Sequence, residues 1–310
     1  MKFKKKILKN GLRIITVPMK DNPAVMVLVM VETGSKYESK NINGLSHFLE
    51  HMCFKGTKKR PNSIDISREL DSIGAQYNAF TSQEYTGYYA KAHVKHFGKI
   101  LDVVSDMYVN PVFDEKEIEK EKGVIVEEIN MYKDLPQRHV EDVFMEVMYG
   151  DTPAGWSVAG TEEIVKAIKR NDFIEYRKKH YVALGTTVVV SGSFDEKKVI
   201  KEAEKAFAGV PTFKKQGKEK VLENQTAPEI KVEYKETDQT HLILGLRAYD
   251  VFNKKNPILQ VLNAVLGGGM SSRLFQKLRD EMGVGYYVRS SFDAYTDHGY
   301  LAVATGVDND

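Results

Sequence analysis

Two histidines and a glutamate stand close together in the run GLSHFLEHM of residues 44–52. His47 and His51 are four residues apart, so on a helix they project from one face, about 40° apart, because each residue turns by roughly 100°. Glu50 comes three residues after His47 and directly before His51, so its carboxylate can reach the same patch. Two imidazoles that converge beside a carboxylate can bind Zn²⁺ and place a base next to it. The spacing therefore predicts a zinc site on a helix.

An alternative is an amphipathic helix whose two histidines have ordinary hydrogen-bond partners. The neighbours Phe48, Leu49 and Met52 are apolar, which indicates that this helix is largely buried. Histidines and a glutamate on a buried helix need partners, since unpaired buried charge is costly, and a metal ion would supply one. Cys53 comes two residues after His51 but points about 200° away from it on a helix, so we expect a buried thiol rather than a ligand.

A third metal ligand should come from elsewhere in the chain, because a catalytic zinc ion usually has three protein ligands. Residues 117–129 form a carboxylate-rich run in which apolar residues recur at helical spacing. Glu121 and Glu128 are seven residues apart, or two helical turns, and so lie on the same face. Most carboxylates on such a helix are simply solvated, and periodicity by itself does not choose among Glu121, Glu127 and Glu128.

Three stretches of the chain resemble the pitrilysin/insulinase family of zinc metallopeptidases, the inverzincins. They are residues 44–57 (GLSHFLEHMCFKGT), 74–89 (GAQYNAFTSQEYTGYY) and 119–132 (EKEKGVIVEEINMY). The bacterial and mitochondrial processing-peptidase branch of the family is the most similar. The resemblance implies a zinc ion as cofactor.

The same resemblance assigns roles to the carboxylates. It implies Glu128 as the third metal ligand beside His47 and His51, and Glu50 as the catalytic base. It implies Glu121 as a further residue of the site, one that holds a ligand in place. A shift of one residue in the spacing would select Glu127 as the ligand instead.

The resemblance also implies residues that act on the substrate. Arg279 and Tyr286, seven residues apart in the second half, match a family pair that reaches the zinc half and stabilises the reacting peptide. Asn78, Ala79 and Phe80 match an edge strand that pairs with the substrate as an added β-strand. An arginine at a helix end and a tyrosine in a strand are also ordinary structural residues. Two halves closing as a clamshell, and a homodimer or heterodimer with a related subunit, are implied in the same way.

Composition narrows the class of protein. The net charge of +2 and the absence of a basic stripe with aromatic residues argue against a nucleic-acid partner. The longest apolar run, residues 23–31, is far shorter than the roughly 20 residues that span a bilayer, and it predicts a buried strand. The lysine-rich N-terminus has no apolar stretch of the kind that a secretory signal needs. One cysteine excludes an intrachain disulfide, so we expect a reducing, cytoplasmic location. Because the longest apolar run is short, we also expect no membrane span.

The organisation of the chain predicts an α+β fold with two homologous domains, each an antiparallel-rich mixed sheet covered by helices. A chain of 310 residues is too long for one ordinary core. We expect a zinc-binding domain at residues 1–210, a linker at 211–228 and a second domain without the zinc motif at 229–310.

The second half repeats the order of the first. Residues 68–74 and the strands after them parallel residues 277–283 and the strands that follow. In the second half we predict strands at 229–235, 240–247, 286–294 and 298–305, and helices at 255–266 and 271–282. The chain stops at Asp310, before any counterpart of the later helices of the first half, so the second domain is expected to be incomplete at its C-terminus.

The sequence thus predicts a zinc-dependent endopeptidase that hydrolyses extended or unfolded peptides, including presequence-like ones. The alternative is a non-catalytic peptide-binding or scaffold subunit of a peptidase pair. A third interpretation is a helical protein without metal in which the motif is coincidental.

Overall fold

The computed structural model describes residues 2–309, and contacts divide the chain into two compact units. Unit 1 comprises Met1–Glu127 and Ser157–Lys218, and unit 2 comprises Glu128–Trp156 and Glu219–Asp310. The division falls inside one helix, Glu115–Asp134, which continues across it without a break. The predicted domain boundaries differ from those of the two units and stay a prediction.

Regular secondary structure follows the sequence pattern closely. The strands among the described residues are β1 (Lys4–Ile7), β2 (Arg13–Pro18), β3 (Ala24–Val31), β4 (Gln76–Thr81), β5 (Thr86–His93), β6 (Thr186–Gly192), β7 (Gln239–Ala248), β8 (Gly285–Ala294) and β9 (Gly299–Asp308). The α-helices are α1 (Leu45–Met52), α2 (Ser63–Asp71), α3 (Phe97–Val109), α4 (Glu115–Asp134), α5 (Pro136–Tyr149), α6 (Glu162–Ala167), α7 (Arg170–His180), α8 (Glu196–Ala206) and α9 (Asn256–Gly267). This set of elements confirms the predicted α+β class. None of the helices in residues 2–309 has both the length and the apolar character needed to cross a membrane.

Unit 1 is built on a six-stranded mixed sheet in the order β1-β2-β6-β3-β5-β4. Only the pair β2–β6 is parallel, and the other neighbours are antiparallel. In β3 the alternate residues Val25, Val27, Val29 and Val31 are at most 1% exposed, as the period of two in a strand requires. Strand β4 forms one edge of this sheet, so its outer backbone groups have no neighbouring strand among those described.

Helix α1 buries one face and exposes the other. Leu45, Phe48 and Leu49 are fully buried, and the ring of Phe48 packs edge-on against Phe173 at 4.9 Å between ring centroids. The residues of the predicted metal motif are only half-buried. Because α1 has only eight residues, its stability depends on this packing rather than on helix propensity.

Unit 2 contains a three-stranded sheet in the order β7-β9-β8. This order matches β3-β5-β4 of unit 1, since in both cases a first strand pairs with the second strand of a following hairpin. Both of its strand pairs are antiparallel, so the mixed sheet predicted for the second half is not found among the described strands. A cluster of buried residues joins α5 and the segment after it to β9, and it consists of Phe144, Met148, Tyr149, Ala154 and Ala302.

Two predicted elements of the second half differ from the structure. Apolar and polar residues alternate over 229–235 as in a strand, but these residues form no strand in the structure. A strand needs a neighbouring strand to accept and donate its backbone hydrogen bonds. Their charged side chains pair with other groups instead, as Lys231 does with Glu146 at 2.7 Å. The helix predicted at 271–282 is a π-helix over Phe275–Glu281, a rare form in which each N–H bonds the carbonyl five residues earlier.

Candidate metal centre

The predicted ligands His47, His51 and Glu128 lie together. One ligand atom from each falls within 4.8 Å of the others, and Nε2 of His47 is 3.3 Å from Nε2 of His51. Tetrahedral zinc with Zn–N bonds of about 2.0–2.1 Å separates two nitrogen ligands by about 3.3–3.4 Å. The spacing of the imidazoles and the mixed nitrogen and oxygen donors therefore fit a zinc ion.

The structure distinguishes the two neighbouring glutamates of α4. Glu127 is exposed and is not a member of the group, whereas Glu128 is half-buried and belongs to it. Tyr132, one turn further along the helix, donates a hydrogen bond from its hydroxyl to Glu128 Oε1 at 3.0 Å. Tyr132 is not among the predicted site residues, although its position four residues after Glu128 on a helix is typical of such a contact.

Glu121 holds the side chain of His51. Its Oε1 lies 2.9 Å from His51 Nδ1, and its Oε2 lies 2.5 Å from Nζ of Lys55. Burial by itself would raise the pKa of the Glu121 carboxyl, but the bonds from His51 and Lys55 outweigh it and lower the pKa below its usual range. Glu121 is thus a buried anion placed behind a candidate metal ligand, and Lys55 is a further residue that the sequence analysis missed.

A residue of the neighbouring sheet orients the side chain of Glu50. Thr81, the last residue of β4, donates a hydrogen bond from Oγ1 to Glu50 Oε2 at 2.5 Å. Both side chains are half-buried. No spacing rule in the sequence links positions 50 and 81, so only the packing of α1 against β4 brings them together.

The start of α1 is held by a buried carboxylate. Glu38 accepts hydrogen bonds from the backbone N–H groups of Gly44 at 2.8 Å and Ser46 at 2.5 Å, and from Nδ2 of Asn43 at 3.0 Å. Gly44 has a φ of +94°, and a Cβ there would lie 2.5 Å from the carbonyl oxygen of Ala159. Burial raises the pKa of the Glu38 carboxyl to about 7, although these hydrogen bonds act in the opposite direction. Glu38 is not among the predicted site residues, because no motif links it to α1.

The predicted substrate strand is the edge strand β4. Asn78 is exposed and its Oδ1 accepts a hydrogen bond from the N–H of Ala79, which is 8% exposed. Phe80 is 37% exposed and lies opposite Gly87, where a Cβ would fall 2.3 Å from the phenylalanine ring. A glycine at position 87 thus gives the Phe80 ring room on the face of the sheet.

Arg279 and Tyr286 come together within unit 2. The Arg279 guanidinium lies 5.4 Å from the centroid of the Tyr286 ring and 4.9 Å from that of Phe275. Tyr286 is 76% exposed. Their roles in a reaction stay predictions.

A helix carrying His-x-x-Glu-His beside glutamates of a second helix is the site of a class of zinc metallopeptidases. The chain matches the family model described as insulinase (peptidase family M16) over residues 13–162. It matches the model described as the peptidase M16 inactive domain over residues 167–310. The chain belongs to this family, peptidase family M16.

Similar proteins occur in several bacteria. The uncharacterized zinc protease YmxG of Bacillus subtilis is 40% identical over 311 residues, which cover 98% of this chain and 73% of that protein. An uncharacterized zinc protease of Streptomyces coelicolor is 35% identical, and the match covers 96% of this chain and 66% of that protein. The chain thus spans about two thirds to three quarters of the length of these relatives.

Solved structures share the fold. A protease from Helicobacter pylori superposes with a TM-score of 0.92 at 23% identity, covering 99% of this chain and 75% of that chain. A structure described as a peptidase M16 inactive domain, from Pseudomonas fluorescens, gives a TM-score of 0.90 at 17% identity, with the same coverage.

Proposed function

We propose that this chain is a zinc-dependent endopeptidase that hydrolyses extended or unfolded peptides, including presequence-like ones. The observation that carries the proposal is the convergence of His47, His51 and Glu128 within 4.8 Å, with Glu50 on the same helix as the two histidines. Membership of a peptidase family supports it. So do relatives whose names describe zinc proteases.

The metal would be held by Nε2 of His47, Nε2 of His51 and a carboxylate oxygen of Glu128. Glu121 would keep His51 oriented through the 2.9 Å contact with Nδ1. When bound, the zinc ion would act as a Lewis acid towards the scissile carbonyl and the attacking water.

Glu50 would carry out the proton transfers. Its carboxylate accepts the proton of the attacking water and then delivers it to the nitrogen of the leaving amine, so that no net proton is consumed. Its position on α1 between the two histidine ligands in sequence keeps it within reach of the same reaction centre. Because Glu50 is half-buried, its carboxylate has access to solvent and substrate.

The substrate would bind as an extended strand along β4. An edge strand presents backbone N–H and C=O groups to a peptide, so recognition depends on the main chain more than on side chains. Asn78, Ala79 and Phe80 would line this position, and only an unfolded segment could lie flat against it. We assign Arg279 to orienting the peptide and Tyr286 to stabilising the tetrahedral intermediate. The cytoplasmic location and the dimer, with an identical or a related subunit, stay predictions.

Zinc content and peptide hydrolysis test the proposal together. Wild-type protein and the Glu50→Gln variant are incubated with a random peptide mixture, and the products are mapped by mass spectrometry. The variant should retain zinc but lose hydrolysis by about 10²–10⁴-fold, the usual contribution of general acid–base catalysis. Equal hydrolysis would reject Glu50 as the base, and zinc and peptide binding without any cleavage by the wild type would favour the scaffold subunit.

A further inference from the structure

We infer that Thr81 is a positioning residue for peptide hydrolysis, because its hydroxyl sets the orientation of the Glu50 carboxylate. The inference rests on the proposed function, in which Glu50 is the base. It assigns to Thr81 a role distinct from metal binding and from contact with the substrate.

The contact itself is direct. Thr81 Oγ1 donates to Glu50 Oε2 at 2.5 Å. A glutamate on a half-exposed helix face has three rotatable side-chain bonds, and a fixed donor restricts them to one arrangement. Threonine is stiff at χ1 because it is β-branched, so the direction of its hydroxyl follows the backbone of β4. The sheet, rather than the helix alone, therefore determines where the carboxylate points.

The backbone at Thr81 is held by the hairpin that follows it. Thr81 pairs with Thr86 in the register of β4 and β5, and the loop between them is closed by a bond from Ser82 N–H to the carbonyl of Tyr85 at 2.9 Å. The loop is also bonded to a distant segment, since Lys36 N–H donates to the carbonyl of Gln83 at 2.9 Å. Thr81 thus ends a strand, and the loop that follows it is held by one hydrogen bond within the hairpin and by another from Lys36.

A buried ion pair anchors the same loop. Lys36 Nζ lies 3.1 Å from Glu84 Oε1, and the two side chains are 1% and 8% exposed. Lys218 Nζ approaches the same carboxylate oxygen at 3.2 Å. Moving the loop would break this buried ion pair, which is more costly than breaking a surface pair. The ion pair therefore opposes displacement of Thr81.

Orientation of a catalytic group affects the rate strongly, because a proton acceptor displaced by about 1 Å can cost about 10²-fold. Thr81 is also the last residue of the strand proposed to bind substrate. The same rigid element would then align the peptide and the base, so that loss of the hydroxyl should affect kcat and leave KM nearly unchanged.

Three variants test the inference. Thr81→Val removes the hydroxyl while keeping the shape, and it should lower kcat by about 10- to 100-fold, part of what general-base catalysis contributes. Its zinc content and KM should match those of the wild type, and Thr81→Ser should restore most of kcat. Thr187→Val is the matched control, because Thr187 is a half-buried strand residue whose Oγ1 accepts a bond from Arg13 Nε at 2.9 Å. The control should keep the wild-type kcat.

A kcat of Thr81→Val equal to that of the wild type would overturn the inference and leave the proposed function standing. A wild type that binds no zinc and cleaves no peptide would instead reject the proposed function. A double-mutant cycle gives a readout that does not depend on activity, using unfolding of the metal-free protein with Thr81→Val and Glu50→Ala. The double variant should be destabilised by less than the sum of the two single changes, and strict additivity would show that the two side chains do not interact. Thr81→Ala gives the same readouts if the valine variant does not fold.

Discussion

His51 Nδ1 lies 2.9 Å from Glu121 Oε1. An ionised carboxylate can only accept hydrogen bonds, so in the neutral form of His51 the proton lies on Nδ1 and the lone pair on Nε2. That Nε2 is the atom that lies 3.3 Å from Nε2 of His47. Glu121 therefore selects the tautomer of His51 that can bind a metal, from a position 70 residues later in the chain.

Replacing Glu121 should weaken zinc binding without removing a ligand. In Glu121→Ala, His51 loses the acceptor that fixes its ring, and zinc affinity should fall by about 10- to 100-fold. Competition with a chromogenic chelator measures this change. Glu119→Ala is the control, since Glu119 on the same helix is exposed and pairs with Lys122. Unchanged affinity in Glu121→Ala would show that His51 needs no such support.

Neutralising the two adjacent glutamates of α4 should have opposite outcomes. Glu128→Gln removes the negative charge of the proposed third ligand, so the variant should lose zinc during dialysis. Glu127→Gln should retain it, because Glu127 is exposed and lies outside the candidate group of His47, His51 and Glu128. Metal analysis of the two dialysed variants makes the comparison. The reverse result would identify Glu127 as the ligand.

Glu38 should make stability depend on pH. Its pKa is raised from 4.5 to about 7, so between these values the folded chain keeps a proton that the unfolded chain has released. The contribution to the free energy of unfolding is fully present below about pH 4.5 and is lost as the pH rises through about 7, a change of about 3 kcal/mol.

Denaturant unfolding of the metal-free protein from pH 5 to pH 8 measures this contribution. Glu38→Gln removes the titrating group, so its stability should fall less with rising pH than that of the wild type. Glu119→Gln should follow the wild-type profile. Parallel profiles for wild type and Glu38→Gln would contradict the prediction.

Gly44→Ala should destabilise the protein and weaken zinc binding. Its φ of +94° disfavours any side chain, and the new Cβ would meet the Ala159 carbonyl at 2.5 Å. The backbone strain alone should cost about 1–3 kcal/mol of unfolding free energy. Gly123→Ala is the control, since a Cβ there meets nothing within 4 Å, and it should stabilise α4 by about 0.5–1 kcal/mol. Chemical denaturation of both variants gives the comparison.

Local patterns in the sequence predicted most of the helices and strands. The alternation in β3 and the spacing of apolar residues in α1 correspond to the faces that the structure buries. In α4 the residues Ile118, Ile125 and Ile129 are buried, whereas Val124 is 51% exposed. The prediction failed at residues 229–235, since alternation shows only that a segment could be a strand. Whether it becomes one depends on a second backbone at the right distance.

The spacing of residues is enough to place His47 and His51 on one helix face and Glu121 and Glu128 on one face of another helix, because the helical period sets those directions. Adjacent residues of a helix point about 100° apart, so packing determines which of Glu127 and Glu128 lies beside the histidines, and it is Glu128. Packing also brought Thr81 to Glu50 and Glu38 to the start of α1. The two members of each pair are separated by loops, and no short-range sequence pattern predicts the path of a loop. Their contacts therefore arise from the packing of the whole unit.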